Sequence, residues 1–212
     1  MTTDRKAGWA LIAGSVAGLV TMAMHPTAAG ILNGARGAGV LLLNVAVHSL
    51  AIGAMPLLLL GLLWLTVTLW KERDLAVAAY VVYALATVAI MIAAAASGFV
   101  ATTLLTRILD ADAAARPALN NMLYYTGQIN QAFAKISTVL TALSIICWSV
   151  AMRRCGFPRE LSTYGIIVPI AICAALGSGH LTLGVHGYGL VALAQSVWMI
   201  WTGVLLLRRR VA

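Results

Sequence analysis

Six long apolar stretches, separated by short polar punctuation, make up most of the chain. The first runs from about Ala7 to His25 and stops at Pro26. The second, Ala38 to Trp70, is too long for one perpendicular crossing; Pro56 is expected to kink it, and it ends at Lys71-Glu72-Arg73-Asp74. The third spans about Leu75 to Thr102 and leads into a polar connection with Arg107, Asp110, Asp112, Arg116 and Pro117. The fourth, Leu119 to Met152, is again overlong and ends at Arg153-Arg154. The fifth, Thr163 to Ser178, contains Pro169; a glycine-rich turn then leads to the sixth, Val185 to Leu207, closed by Arg208-Arg209-Arg210.

As helix, about 20 apolar residues cross a hydrocarbon core of about 30 Å. The only other spanning solution is a barrel, whose strands alternate polar and apolar residues. These stretches do not alternate. The pattern therefore predicts an all-α, polytopic membrane protein: one domain over 1–212, a bundle of six transmembrane helices with spans near 7–25, 48–70, 75–97, 133–152, 163–182 and 186–207.

Composition agrees, with 62% hydrophobic and 9% charged residues, against about 25% charged in soluble domains. The net charge of +8 would suggest nucleic acid in a soluble protein. Here the basic residues gather at alternate helix ends, so they read as topology signals and no nucleic-acid partner is expected. One side collects Arg5, Lys6, Lys71, Arg73, Arg153, Arg154, Arg159 and Arg208 to Arg210, which is ten of the fourteen Lys and Arg; Arg36, Arg107, Arg116 and Lys135 fall on the other. The positive-inside rule then places both termini in the cytoplasm. Alanine-rich composition suggests a bacterial inner membrane. Arg5 and Lys6 before an apolar run resemble a signal peptide, but the run is long and lacks a small-x-small site, so a retained helix is expected. Cys147, Cys155 and Cys173 have no metal-knuckle or disulfide spacing and read as packing residues.

A weak internal echo pairs Ser97-Gly98 with Ser178-Gly179 and Trp64 with Trp148, at offsets of 81 and 84 residues, as a duplicated hairpin would.

Counting about 20 residues outward from each cytoplasmic helix end estimates the outer edge of the hydrocarbon. The count brings all four histidines, His25, His48, His180 and His186, and the one intramembrane lysine, Lys135, to a single layer at the outer rim. Helix 4 carries a polar stripe there at steps of three or four residues: Asn121, Tyr124, Gln128, Gln131, Lys135 and Thr138. Asn44 and His48 share a face of helix 2 in the same way.

The leading expectation is a periplasm-facing rim site binding zinc, copper or haem through His25, His48, His180 and His186. In that reading Lys135 and Gln131 hold an anionic group. The spacing of His180 and His186 matches no HxxxH or HExxH signature. Met24 and Met122 could assist copper but read better as packing. A second expectation is a binder or transporter of a small polar or anionic molecule recognised by Lys135, Gln131, Gln128, Tyr124, Asn44 and Asn121. A third is a non-catalytic structural or sensory subunit. The plainer alternative throughout is an interfacial layer in which Lys135 snorkels to water and lipid is the only partner.

All six carboxylates lie in loops or tails, which argues against a cation carrier built on intramembrane Asp or Glu. Ala95-Ala96-Ser97-Gly98, with His186 heading the last helix, faintly resembles the serine–histidine pair of rhomboid intramembrane proteases. The first glycine of that serine motif is missing, and the serine falls on helix 3 rather than helix 4. A zinc hydrolase of the ceramidase type would need an intramembrane Asp, and a two-haem cytochrome would need histidines at two depths. Whether the chain is an enzyme stays open at this point.

Overall fold

The computed structural model describes residues 2–27 and 38–209. Asn33, Arg36 and Arg210, which the sequence reading placed in a loop and among the orienting charges, lie outside the described residues.

The described residues form six rods long and apolar enough to cross a membrane, and no strand. In chain order they are α1 (Thr3–Met24), α2 (Ala38–Thr68), α3 (Arg73–Ala95) continuing through a π turn (Ala96–Val100) into α4 (Ala101–Asp110), α5 (Arg116–Arg154), α6 (Arg159–Gly177) and α7 (Val185–Arg208). A 3-10 turn over Trp70–Glu72 joins α2 to α3. Helix α1 stops at Met24 because Pro26 follows: the residue before a proline is driven out of the helical region, and His25 is extended at φ −67°, ψ 122°. Pro56 and Pro169 lie inside α2 and α6, each of which stays one continuous helix.

The predicted polar connection after helix 3 is shorter than expected. The helix runs on to Asp110, and residues 111–115 alone make the turn. Asp112 caps that turn, its carboxylate accepting from the Ala114 and Ala115 amides at 3.0 and 2.8 Å. Helix α5 has 39 residues, more than a perpendicular crossing needs, so α4 and the start of α5 form a hairpin extending past the bundle.

Both described termini lie at one end of the bundle. Thr68 donates to Asp4 at 2.7 Å, Arg209 stands 4.0 Å from Asp4 and covers the Phe157 ring at 4.2 Å, and Lys6 lies 5.9 Å from the centre of the Trp64 ring. Arg154 pairs with Glu72 at 3.0 Å at the same end.

Lipid tails are as apolar as leucine, so these helices associate by close packing of small residues rather than by leaving water. At the α1–α7 crossing Gly8 and Gly203 face each other, each standing where a Cβ on the other would press on backbone oxygen. Along α1 and α2, Leu58 fills the space beside Gly14 and Leu11 the space beside Gly61. Large apolar side chains such as Leu42, Leu85 and Leu190 point outward, as a lipid-facing surface requires.

The core towards the terminal end is aromatic. Trp148 and Trp198 stack at 6.3 Å with planes 25° apart, and Tyr83 packs against Trp148 at 5.8 Å. Both buried indoles donate, Trp148 to Thr66 Oγ1 at 3.2 Å and Trp198 to Ser149 Oγ at 3.0 Å. Gly165 on α6 makes the second bond possible, because any side chain there would overlap Ser149 and Trp198. Leu65, Leu69, Ala76, Met152 and Leu161 close the bundle beyond this layer.

The two serine–glycine pairs of the echo lie in different settings. Ser97-Gly98 sits in the π turn against α2, whereas Ser178-Gly179 forms an exposed turn after α6.

Candidate functional site

Above the aromatic layer the helices part around a cavity of about 340 Å3. Its floor carries Tyr83, Thr141 and Met199; its far end, away from the termini, carries His25, His48, Ser97, Asn130 and Gln131. The walls between are mostly apolar, with Met22, Val47, Ile52, Met55, Ile90 and Ala134 among them.

His25 and His48 meet at the polar end. Their Nε2 atoms stand 3.3 Å apart, with ring centroids at 4.8 Å and planes 69° apart. Each ring is fixed by its other nitrogen: His25 Nδ1 lies 2.8 Å from the Pro26 carbonyl oxygen and His48 Nδ1 lies 2.7 Å from that of Asn44. A carbonyl oxygen only accepts, so each Nδ1 carries the proton that it donates.

The backbone around His48 is arranged to hold it. Asn44, 1% exposed, sits one turn earlier and spends both amide N–H groups across the helix interface, on the Ser97 carbonyl at 3.1 Å and Thr102 Oγ1 at 3.0 Å. The π turn supplies this acceptor: a wide turn breaks the i to i−4 ladder and leaves a carbonyl for an outside donor. Thr102 in turn donates to Gly98 at 2.6 Å. Gly98 lets α2 come close enough for the His48 side chain to fill the space a Cβ would need.

Gln131 donates to the Leu183 carbonyl at 3.0 Å and Asn130 to that of Ala93 at 2.8 Å. The first bond pins the α6–α7 loop over the cavity, with Leu183 buried beneath it. Gln131 also donates to Asn130 Oδ1 at 3.4 Å, so that oxygen is taken within the pair, and the acceptors left to the polar end are the Gln131 amide oxygen and the imidazole Nε2 atoms.

The other expected site residues go elsewhere. His180 is exposed in the loop after α6, bonded to Ser178 Oγ at 2.9 Å, and His186 is exposed on the first turn of α7. Neither lines the cavity. Among the described residues, no three His, Cys, Asp or Glu side chains come together to hold a metal ion. Lys135, Gln128, Asn121 and Tyr124 are exposed on the outer side of α5, and Met24 and Met122 are exposed too. Ser97 lines the cavity without His186, so the rhomboid-like pair does not assemble.

Two members of the predicted stripe, Gln131 and Thr138, line the cavity, while Asn121, Tyr124, Gln128 and Lys135 are exposed. The cavity face is a second series that the sequence reading missed: Asn130, Ala134, Ser137 and Thr141, running on into buried Ser144. Its three- and four-residue steps were available in the sequence, but the longer side chains beside it gave a louder signal.

Comparison with protein-family models, with curated proteins and with solved structures finds no match for this chain. Fold and site together define a multi-pass α-helical membrane protein with a cavity inside its bundle.

Proposed function

We propose that this protein binds one small molecule within the membrane, with an apolar body in the cavity and a hydrogen-bond-donating or cationic head at the His25–His48 end. The observation that carries the reading is a cavity of about 340 Å3, lined by apolar walls and holding acceptor groups at one end. That is the usual build of a small-molecule site. A layer of stacked indoles beneath it supports binding from one side rather than an open pore.

Two earlier expectations contract. An anionic ligand loses its cation, since Lys135 faces outward. Metal binding keeps only His25 and His48. A haem iron clamped between two imidazoles would need their nitrogens about 4 Å apart or more, with a macrocycle between; the centroid separation of 4.8 Å offers no such slot. The inner-membrane location and cytoplasmic termini remain proposals resting on the positive-inside count. In that orientation the polar end of the cavity lies on the periplasmic side.

The test is a titration of purified protein in lipid nanodiscs with 1-aminoanthracene, a flat apolar amine whose fluorescence rises in dry pockets. Saturable binding of one probe per chain is expected. Ser137→Trp, which fills the cavity, should abolish it, and Ile136→Trp, on the exposed side of α5, should not. Equal signal from all three proteins means partition into lipid and overturns the reading.

A further inference from the structure

We infer that the cavity takes an elongated lipophile with a polar group at each end, the far one a neutral hydroxyl or carbonyl held at the floor by Thr141, Ser196 and Gln195. The inference rests on the cavity reading above and adds the far end of its ligand.

Hydroxyls in a membrane helix normally pair within it. With no water in the hydrocarbon, a serine or threonine donates to a carbonyl about one turn back. Three threonines that line the cavity do this: Thr21 to Gly18 at 2.7 Å, Thr87 to Tyr83 at 2.9 Å and Thr138 to Ala134 at 2.8 Å. Ser144, deeper on α5, does the same to Leu140 at 2.8 Å.

Ser137, Thr141 and Ser196 depart from this rule. All three line the cavity, and they are only 4%, 6% and 8% exposed. None of their hydroxyls bonds to another described residue. Next to Ser196 the half-buried Gln195 also lines the cavity, and its amide likewise has no partner among the described residues. A buried polar group left unpaired is costly, and native folds normally supply its partner. Here the partner has to come from within the cavity.

The chemistry of that partner follows from the donors and acceptors. A hydroxyl both donates and accepts, and so does a primary amide, so these groups match a hydroxyl or a carbonyl oxygen. Among the described residues no Asp, Glu, Lys or Arg lines the cavity. A charged far end would be buried without a counter-ion, at a large desolvation cost. The far group is therefore neutral.

Helical rise sets the length. Gln131 marks the polar end, and Thr141 lies ten residues further along α5, roughly 15 Å away. On α7 the count is independent: from Val185, the first residue of the helix and part of the lining, to Ser196 is eleven residues, roughly 16 Å. Subtracting a hydrogen bond of about 2.8 Å at each end leaves roughly 10 Å between the two polar atoms of the ligand. Ile52, Met55, Ile90 and Ala134 wall the stretch between, so the middle of the ligand is apolar.

The test uses the full chain in nanodiscs and three alcohols. The first, 1,8-octanediol, suits this spacing when extended; 1-octanol lacks the far hydroxyl; 1,4-butanediol is too short to reach both ends. Each is scored by displacement of 1-aminoanthracene and by its shift of the melting temperature, since a ligand that binds only the folded state raises it. Corrected for partition into lipid, 1,8-octanediol is expected to bind at least about fivefold more tightly than either of the others. Thr141→Val and Ser196→Ala together should remove that advantage and leave 1-octanol unchanged. The double variant should melt no lower than wild type, because the lost hydroxyls make no bond within the described fold. Either single variant carries the test if the double variant fails to fold.

A diol advantage that survives both substitutions assigns these hydroxyls to water and overturns the inference. So does a double variant that melts several degrees lower, which would mean that the hydroxyls serve the fold. If the probe and 1-octanol bind but the diol gains nothing, the inference alone fails. If neither the probe nor any alcohol binds, the cavity reading fails and takes the inference with it.

Discussion

Gly98 leaves vacant the volume that the His48 side chain occupies: a Cβ built on Gly98 would overlap His48 Cβ and Cγ. The close approach of α2 to the π turn, and with it the position of the histidine pair, depends on that missing side chain. Gly98→Ala is therefore expected to push His48 away from His25. Overpacking of this kind costs about 1–3 kcal/mol. Thermal melting should show the loss of stability.

Asn44 is the second support. Its amide holds the Ser97 carbonyl and Thr102 Oγ1 across the interface. Removing it leaves buried acceptors unpaired, which costs about 1–3 kcal/mol. Asn44→Ala should lower the melting temperature and let Ser97–Thr102 exchange amide protons faster, measured by hydrogen–deuterium exchange. An exchange pattern identical to wild type would refute the bridging role.

At the other end of the bundle, Gly165 makes room for the Trp198–Ser149 bond. Gly165→Ala should destabilise the protein by about 1–3 kcal/mol and shift tryptophan emission. Gly177→Ala, with nothing near its would-be Cβ, is the matched control and should change neither.

On α5 the two faces should separate cleanly. Gln131 holds the loop carbonyl of Leu183 over the cavity. Gln131→Leu is expected to weaken 1-aminoanthracene binding several-fold. Lys135→Gln, on the exposed side, is expected to leave it unchanged. A reversed order would restore the stripe with Lys135 as the recognition surface.

The fold was legible because its signals are local and strong. Pro26, the Lys71–Asp74 cluster and the Arg153-Arg154 pair each mark a real helix end. Asp110 misled, since a polar residue at the end of a protruding helix looks like loop. The site was half legible. Depth alone brought His25 and His48 to one layer, and the structure brings them together. Depth cannot give rotation about a helix axis, so His180, His186 and Lys135, at a similar estimated depth, face elsewhere. The role of Gly98 was not legible, because a glycine in an apolar helix reads the same whether it faces lipid or a histidine.

The most direct measurement is a crystal structure of the protein soaked in tribromoethanol, a compact apolar molecule with one hydroxyl head, phased on bromine. The account predicts an anomalous peak inside the cavity, near Ala134, Ser137 and Tyr188, with the hydroxyl towards His25, His48 or Gln131. Bromine confined to the lipid-facing surface, with the cavity filled only by repacked side chains, would contradict it.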